Sequence, residues 1–169
     1  MNEIATVGYE GASIEDFDAT LAAAKIEVLV DVRAVAVSRR KGFSKTALAT
    51  RMEASGRSYL HLRDLGDPKP GRLAARAGDL EKFREIFAAH IETPAAQDAL
   101  RSLVSLSASK RVALLCYEAA AGACHRAIVA EQVARIENLS ILHLHVEDGA
   151  AWNDRARTRY RIGQGMAAA

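Results

Sequence analysis

Apolar positions along the chain come as short continuous blocks and as longer stretches at helical spacing, and the two kinds alternate. Ile4–Gly8 (IATVG) is a short apolar run that stops at glycine, which predicts a buried strand. After Tyr9-Glu10-Gly11, Ser13 followed by Asp16 has the capping-box pattern of a helix start. Ile14, Phe17 and Leu21 then give that helix one apolar face. Val28–Val32 (VLVDV) is apolar on both faces, as a central parallel strand requires. Ser44 opens a helix that Gly56 ends, and Ser58–Leu62 reads as a third strand. Arg63–Arg72 (RDLGDPKPGR) is rich in proline, glycine and charge and predicts a loop. Asp79 caps a helix carrying Leu80, Phe83, Phe87 and Ile91. Thr93-Pro94 opens another, whose buried face is Leu100, Leu103 and Val104. Arg111–Cys116 is the fourth strand, Cys124–Ile136 a helix, and Leu139–Val146 the fifth strand.

Strands that alternate with helices predict an α/β chain: one domain over residues 1–149, with a largely parallel five-stranded sheet and helices on both faces, a Rossmann-like three-layer sandwich. Residues 150–169 form a C-terminal tail, with Trp152 packing on the body and arginines at 155, 157, 159 and 161. His143 and His145 fall on one face of the fifth strand and are expected to be half-buried. Ligands of such sheets sit at the carboxyl ends of the strands. Four of those ends carry polar residues here: Tyr9 and Glu10, Asp31 and Arg33, His61, and Cys116 with Glu118.

Composition narrows the function classes. A formal net charge of +2 on 169 residues excludes a chain that is basic as a whole, so any anion binding has to be local. Two cysteines, no leader-like start and no apolar run of membrane-spanning length point to a cytoplasmic protein without a membrane partner. Both cysteines fall in Leu114–Ala130 (LLCYEAAAGACHRAIVA). A helix beginning near Cys124 would favour an anion and lower the thiol's pKa, so Cys124 is the leading candidate nucleophile and Cys116 the second. Glu118 or His125 would move protons, and Arg126 would grip a phosphate or carboxylate. The plainer alternative is two small core residues beside a surface ion pair.

The segment from Arg33 to Lys45 has five basic residues and no acid. Arg33, Ser38 and Arg39 are candidates to hold a phosphate, Phe43 to stack on a base, and Asp31 requires a partner, most naturally Arg33. The alternative is a solvated basic loop. The loop of cysteine-dependent phosphatases, cysteine then five residues then arginine, is absent: the corresponding positions are Gly122 and Ala130. Zinc held by Cys116, Cys124, His125 and His61 is a further alternative, although no Cys-x-x-Cys pair is present, and the leading reading assigns no metal and no cofactor.

The motifs TVGYEG, VLVDVR, SRRKGFSK, SYLHLRDLGDPKPGR, LLCYE and CHRAIVA, in this order, resemble the bacterial family catalogued as domain of unknown function 488 (DUF488). The resemblance runs roughly from Ala5 to Val146. It implies a site and no established reaction. The characteristic positions map here to Gly8, Asp31, Arg33, Ser38, Arg39, Phe43, His61, Leu65, Gly66, Cys116, Glu118, Cys124, His125 and Arg126. The chain departs from the family pattern at Ala36, near which members carry proline, and at Ala119–Ala123 (AAAGA), where members have a charged or proline-bearing loop.

The resulting expectation is an anion site, for a phosphate-bearing small molecule or nucleotide, at the carboxyl edge of the sheet, serving a thiol-dependent transferase or hydrolase. The alternative is a non-catalytic nucleotide- or nucleic-acid-binding module with structural cysteines.

Overall fold

A computed structural model describes residues 3–152, and the tail arginines at 155, 157, 159 and 161 lie outside the described residues. Five strands, β1 (Glu3–Gly8), β2 (Val28–Asp31), β3 (Ser58–His61), β4 (Val112–Cys116) and β5 (Ser140–Leu144), form one sheet in the order β3-β2-β4-β1-β5. Every pairing is parallel.

The strands bury both faces because their side chains alternate. Val30, Ile4 and Leu114 face α4 (Leu80–Ile91), α5 (Pro94–Ser107) and α6 (His125–Glu137), packing with Phe87, Leu103 and Val129. Leu29, Val7 and Leu115 face α1 (Ile14–Ala23) and α2 (Lys45–Ala54), packing with Phe17, Leu21, Leu48 and Met52. The α/β architecture with a parallel sheet and helices on both faces is therefore the one expected from the pattern.

Helix starts follow local chemistry. Ser13, Asp79 and Thr93 each accept a hydrogen bond from the backbone N–H three residues on, at 3.1, 3.1 and 3.4 Å. Ser44 sits at the cap of α2, but its hydroxyl accepts from the Ser38 N–H and donates to the Ser38 carbonyl instead, pinning the basic loop.

Three expectations are corrected. Part of the expected loop is helix: α3 spans Lys69–Arg76, with Pro70 in its first turn, where a missing N–H costs nothing, and Gly71 and Ala74 on its buried side. Trp152 is 69% exposed and does not pack on the body. His143 and His145 are exposed, because β5 is an edge strand; His143 Nδ1 lies 2.7 Å from the Thr6 hydroxyl.

Candidate functional site

Cys116 ends β4 in register with Gly8 of β1, one residue beyond the Leu115–Asp31 pair. Two close approaches build the floor around it. A Cβ on Gly8 would stand 1.8 Å from the Glu118 carbonyl oxygen, so only glycine lets the chain after β4 fold back over β1. Arg126, 1% exposed, donates to the carbonyls of Glu118 and Ala119 and ties that same turn to α6.

The result brings four reactive groups together. The Cys116 thiol donates to Glu118 Oε2 at 3.1 Å and lies 3.8 Å from His125 Nδ1. Cys124 Sγ lies 3.9 Å from the same nitrogen. His125 Nε2 is 2.7 Å from the Val32 carbonyl. A carbonyl only accepts, so the ring proton sits on Nε2 and the Nδ1 lone pair points at the sulfurs.

Burial and pairing set the acidities in opposite directions. Burial pushes the Cys124 thiol well above its ordinary value; Cys116 adds to this and His125 only partly opposes it. This overturns the expectation that the helix start would lower it. For His125, burial works to lower the pKa, but contacts with Cys124, the Val32 carbonyl and Asp67 outweigh it and the value rises. For Glu118, burial works to raise the carboxyl, but hydrogen bonds from Cys116, its own backbone and Cys124 hold it below the usual range.

Cys116, Glu118 and His125 line a cleft of about 810 Å³, whereas Cys124 is 4% exposed and not part of its lining. Tyr9, Arg33, Ser38 and Arg39 also line it. A smaller hollow of about 430 Å³ lies at the amino end of the sheet beside Glu27, Arg57 and Lys110, and holds none of these groups.

Other expected ligand residues serve the scaffold. Arg33 is 5% exposed and chelates Asp31 through Nε at 2.8 Å and a terminal nitrogen at 2.6 Å, while its other terminal nitrogen donates to the Tyr9 hydroxyl and the Phe43 carbonyl. Pairing with Asp31 outweighs burial and raises the Arg33 pKa. Asp31, fully buried, also accepts from Tyr59 at 2.5 Å, so it is a partnered core charge and not a ligand group. Phe43 is fully buried and stacked on Tyr9 at 4.3 Å, so no base can reach it. His61 Nε2 is 2.8 Å from the Arg33 carbonyl, away from the cysteines. Glu10 accepts from the Ala119 N–H at 3.0 Å. Arg126 is committed to the 118–119 turn and does not reach the cleft as an anion grip.

The pattern missed one wall of the cleft. Asp67, Lys69, Arg72 and Arg76 line it, the last three on α3. Asp67 is 5% exposed, its Oδ1 has no hydrogen-bond partner, and burial raises its carboxyl pKa against the opposing charges of His125 and Arg72. Gly71 leaves room for that carboxylate: a Cβ there would lie 2.0 Å from Asp67 Oδ1. The signal available was Lys-Pro-Gly-Arg as a helix start, with Lys69, Arg72 and Arg76 at helical spacing. The mouth also exposes Val35, Val37 and Leu73.

An all-parallel α/β sheet with both cysteines, a histidine and a glutamate at one carboxyl edge defines the class of chain. Residues 13–133 match the family described as Domain of unknown function DUF488, and the chain belongs to that family. No curated protein and no solved structure matches it. Among the described residues no helix is long and apolar enough to cross a membrane.

Proposed function

We propose that the cleft binds a phosphate-bearing small molecule or nucleotide and that the chain acts on it through the Cys116 thiol, as a thiol-dependent transferase or hydrolase. The observation that carries this reading is the position of Cys116: at the buried end of the cleft, 3.1 Å from Glu118 Oε2 and 3.8 Å from His125 Nδ1. As Cys116 Sγ forms a bond to phosphorus, its proton passes to the His125 Nδ1 lone pair that faces it; the bond from phosphorus to the leaving oxygen breaks and that oxygen departs with the proton from His125, while the charged Glu118 carboxylate steadies the imidazolium. Arg39, Lys69, Arg72 and Arg76 draw the anion into the cleft. Cys116 thus replaces Cys124 as the attacking sulfur, since Cys124 is held neutral behind it.

Burial of both cysteines, at 5% and 4% exposure, favours a second reading: a non-catalytic binding module for nucleotide or nucleic acid. Residue-resolved alkylation of the metal-free native chain across pH separates the two. The thiol reading expects Cys116 to react faster than Cys124 and to be protected by inorganic phosphate or a nucleotide. A Cys116 as inert as Cys124 at every pH below denaturation would leave the binding module.

A further inference from the structure

We infer that Cys116 Sγ, Cys124 Sγ and His125 Nδ1 form a binding site for a zinc-class divalent ion, with the Glu118 carboxylate as fourth donor.

The geometry is close to that of a tetrahedral site. The three donor atoms lie within 4.8 Å of one another, with the nitrogen 3.8 and 3.9 Å from the two sulfurs. Zinc–sulfur bonds of about 2.3 Å and zinc–nitrogen bonds of about 2.0 Å at the tetrahedral angle place sulfur and nitrogen roughly 3.5 Å apart. An ion therefore asks for a contraction of a few tenths of an ångström along the sulfur–nitrogen edges, and of at most about 1 Å along the sulfur–sulfur edge, which is within 4.8 Å against roughly 3.8 Å in a tetrahedral site. Glu118 Oε2 lies 3.1 Å from Cys116 Sγ but outside the group of three mutually close donors, so it swings in from the cleft side to complete the shell.

The surroundings also suit a metal. His125 Nε2 donates to the Val32 carbonyl at 2.7 Å, which fixes the ring and leaves Nδ1 as the ligating nitrogen, the usual outer-shell arrangement of metal-bound histidine. Cys124 and His125 are adjacent in sequence, and adjacent side chains seldom reach one ion. Here the break between them permits it: Cys124 has extended backbone (φ −131, ψ 140) while His125 begins α6. The ligand types, two thiols and an imidazole, select zinc over the harder magnesium and calcium.

Binding releases both thiol protons to solvent: two S–H bonds break, two sulfur–metal bonds form, and His125 enters neutral through its lone pair. The ion occupies both sulfurs, so a loaded chain has no free nucleophile. The inference does not rest on the thiol reaction. The alkylation experiment tests that reaction on metal-free protein, and metal binding is measured separately.

The test is a titration of untagged, chelator-stripped and reduced full-length chain with Co²⁺, followed by displacement with Zn²⁺. The expected result is one ion per chain, an intense thiolate-to-cobalt charge-transfer band, visible bands of tetrahedral cobalt, and loss of the spectrum on adding Zn²⁺. Calorimetry in two buffers should report about two protons released per ion. Cys124→Ser should weaken binding by at least about 10-fold, since losing a ligand costs no less than losing an outer-shell partner. Cys116→Ser should do the same, which keeps the comparison intact if either variant fails to fold. A wild-type chain that gives no charge-transfer band, or binds Co²⁺ equally well without either thiol, overturns the site.

Discussion

Asp67 shows what a single buried carboxyl costs. Its pKa is raised by burial from an ordinary 3.8, so the folded value lies above the unfolded one. The carboxyl therefore supports the fold below pH 3.8, and that support is lost as pH rises through the folded value. At neutral pH the fold carries an unpartnered buried oxygen. Asp67→Asn should raise stability at pH 7 by about 1 kcal/mol, with the advantage disappearing in acid. Thermal melts across pH measure this, and a variant less stable than wild type at pH 7 refutes it. Cys124 acts at the other end of the scale. Its folded pKa lies above the ordinary 9.0, so its contribution is complete below pH 9.0 and fades above it. Cys124→Ser should flatten the alkaline limb of the stability curve. Gly8→Ala forces a methyl group to within 1.8 Å of the Glu118 carbonyl and should cost roughly 3 kcal/mol or more.

At the scale of elements, the buried Arg33–Asp31 pair joins the end of β2 to the basic loop, and Arg33 also holds Tyr9 and the Phe43 carbonyl. Removing one partner leaves an uncompensated charge. Arg33→Ala should cost about 3–5 kcal/mol in a denaturant titration. Arg33→Lys should recover little of it, because a single ammonium cannot reproduce the two-point grip. The turn at Glu118–Ala119 depends in the same way on Arg126, so Arg126→Met should speed amide exchange there while leaving β4 protected. Elements with strong periodicity were legible in the sequence: the five strands, the caps at Ser13, Asp79 and Thr93, Cys116 at a strand end and Cys124 at a helix start. α3 was not, because Pro68, Pro70 and Gly71 are punctuation in most contexts and only packing makes them a helix start. The pattern pointed to one arginine's partner, Asp31 for Arg33, which the fold pairs at 2.6 Å, but not to the carbonyls that engage Arg126. Both were also read as anion grips, while the fold spends the Arg33 donors on Asp31, Tyr9 and the Phe43 carbonyl and the terminal nitrogens of Arg126 on two carbonyls, leaving Arg126 Nε buried without a hydrogen-bond partner.

Across the whole molecule, positive charge collects on one side of the cleft even though the net charge is only +2. Replacing Lys69, Arg72 and Arg76 together by alanine should abolish phosphate protection of Cys116 without lowering the melting temperature by more than a few degrees, since Lys69 is exposed and the arginines are at most half-buried. Added salt should weaken the same protection in the wild type. A triple variant that is protected as well as wild type would move the anion site elsewhere.

The strand order has a consequence for how the chain is made. β2 and β3 are neighbours in both sequence and sheet, and a ribosome releases them early. β1, the first of the described strands, has no strand partner until β4 emerges more than a hundred residues later, since among the described residues its neighbours are β4 and β5. Nascent chains halted before Val112 should therefore keep an unpaired and aggregation-prone first strand. Arrival of Cys116 beside Gly8 is the event that zips the two halves of the sheet together, so the reactive centre is also the seam that joins them, before β5 adds the outer edge.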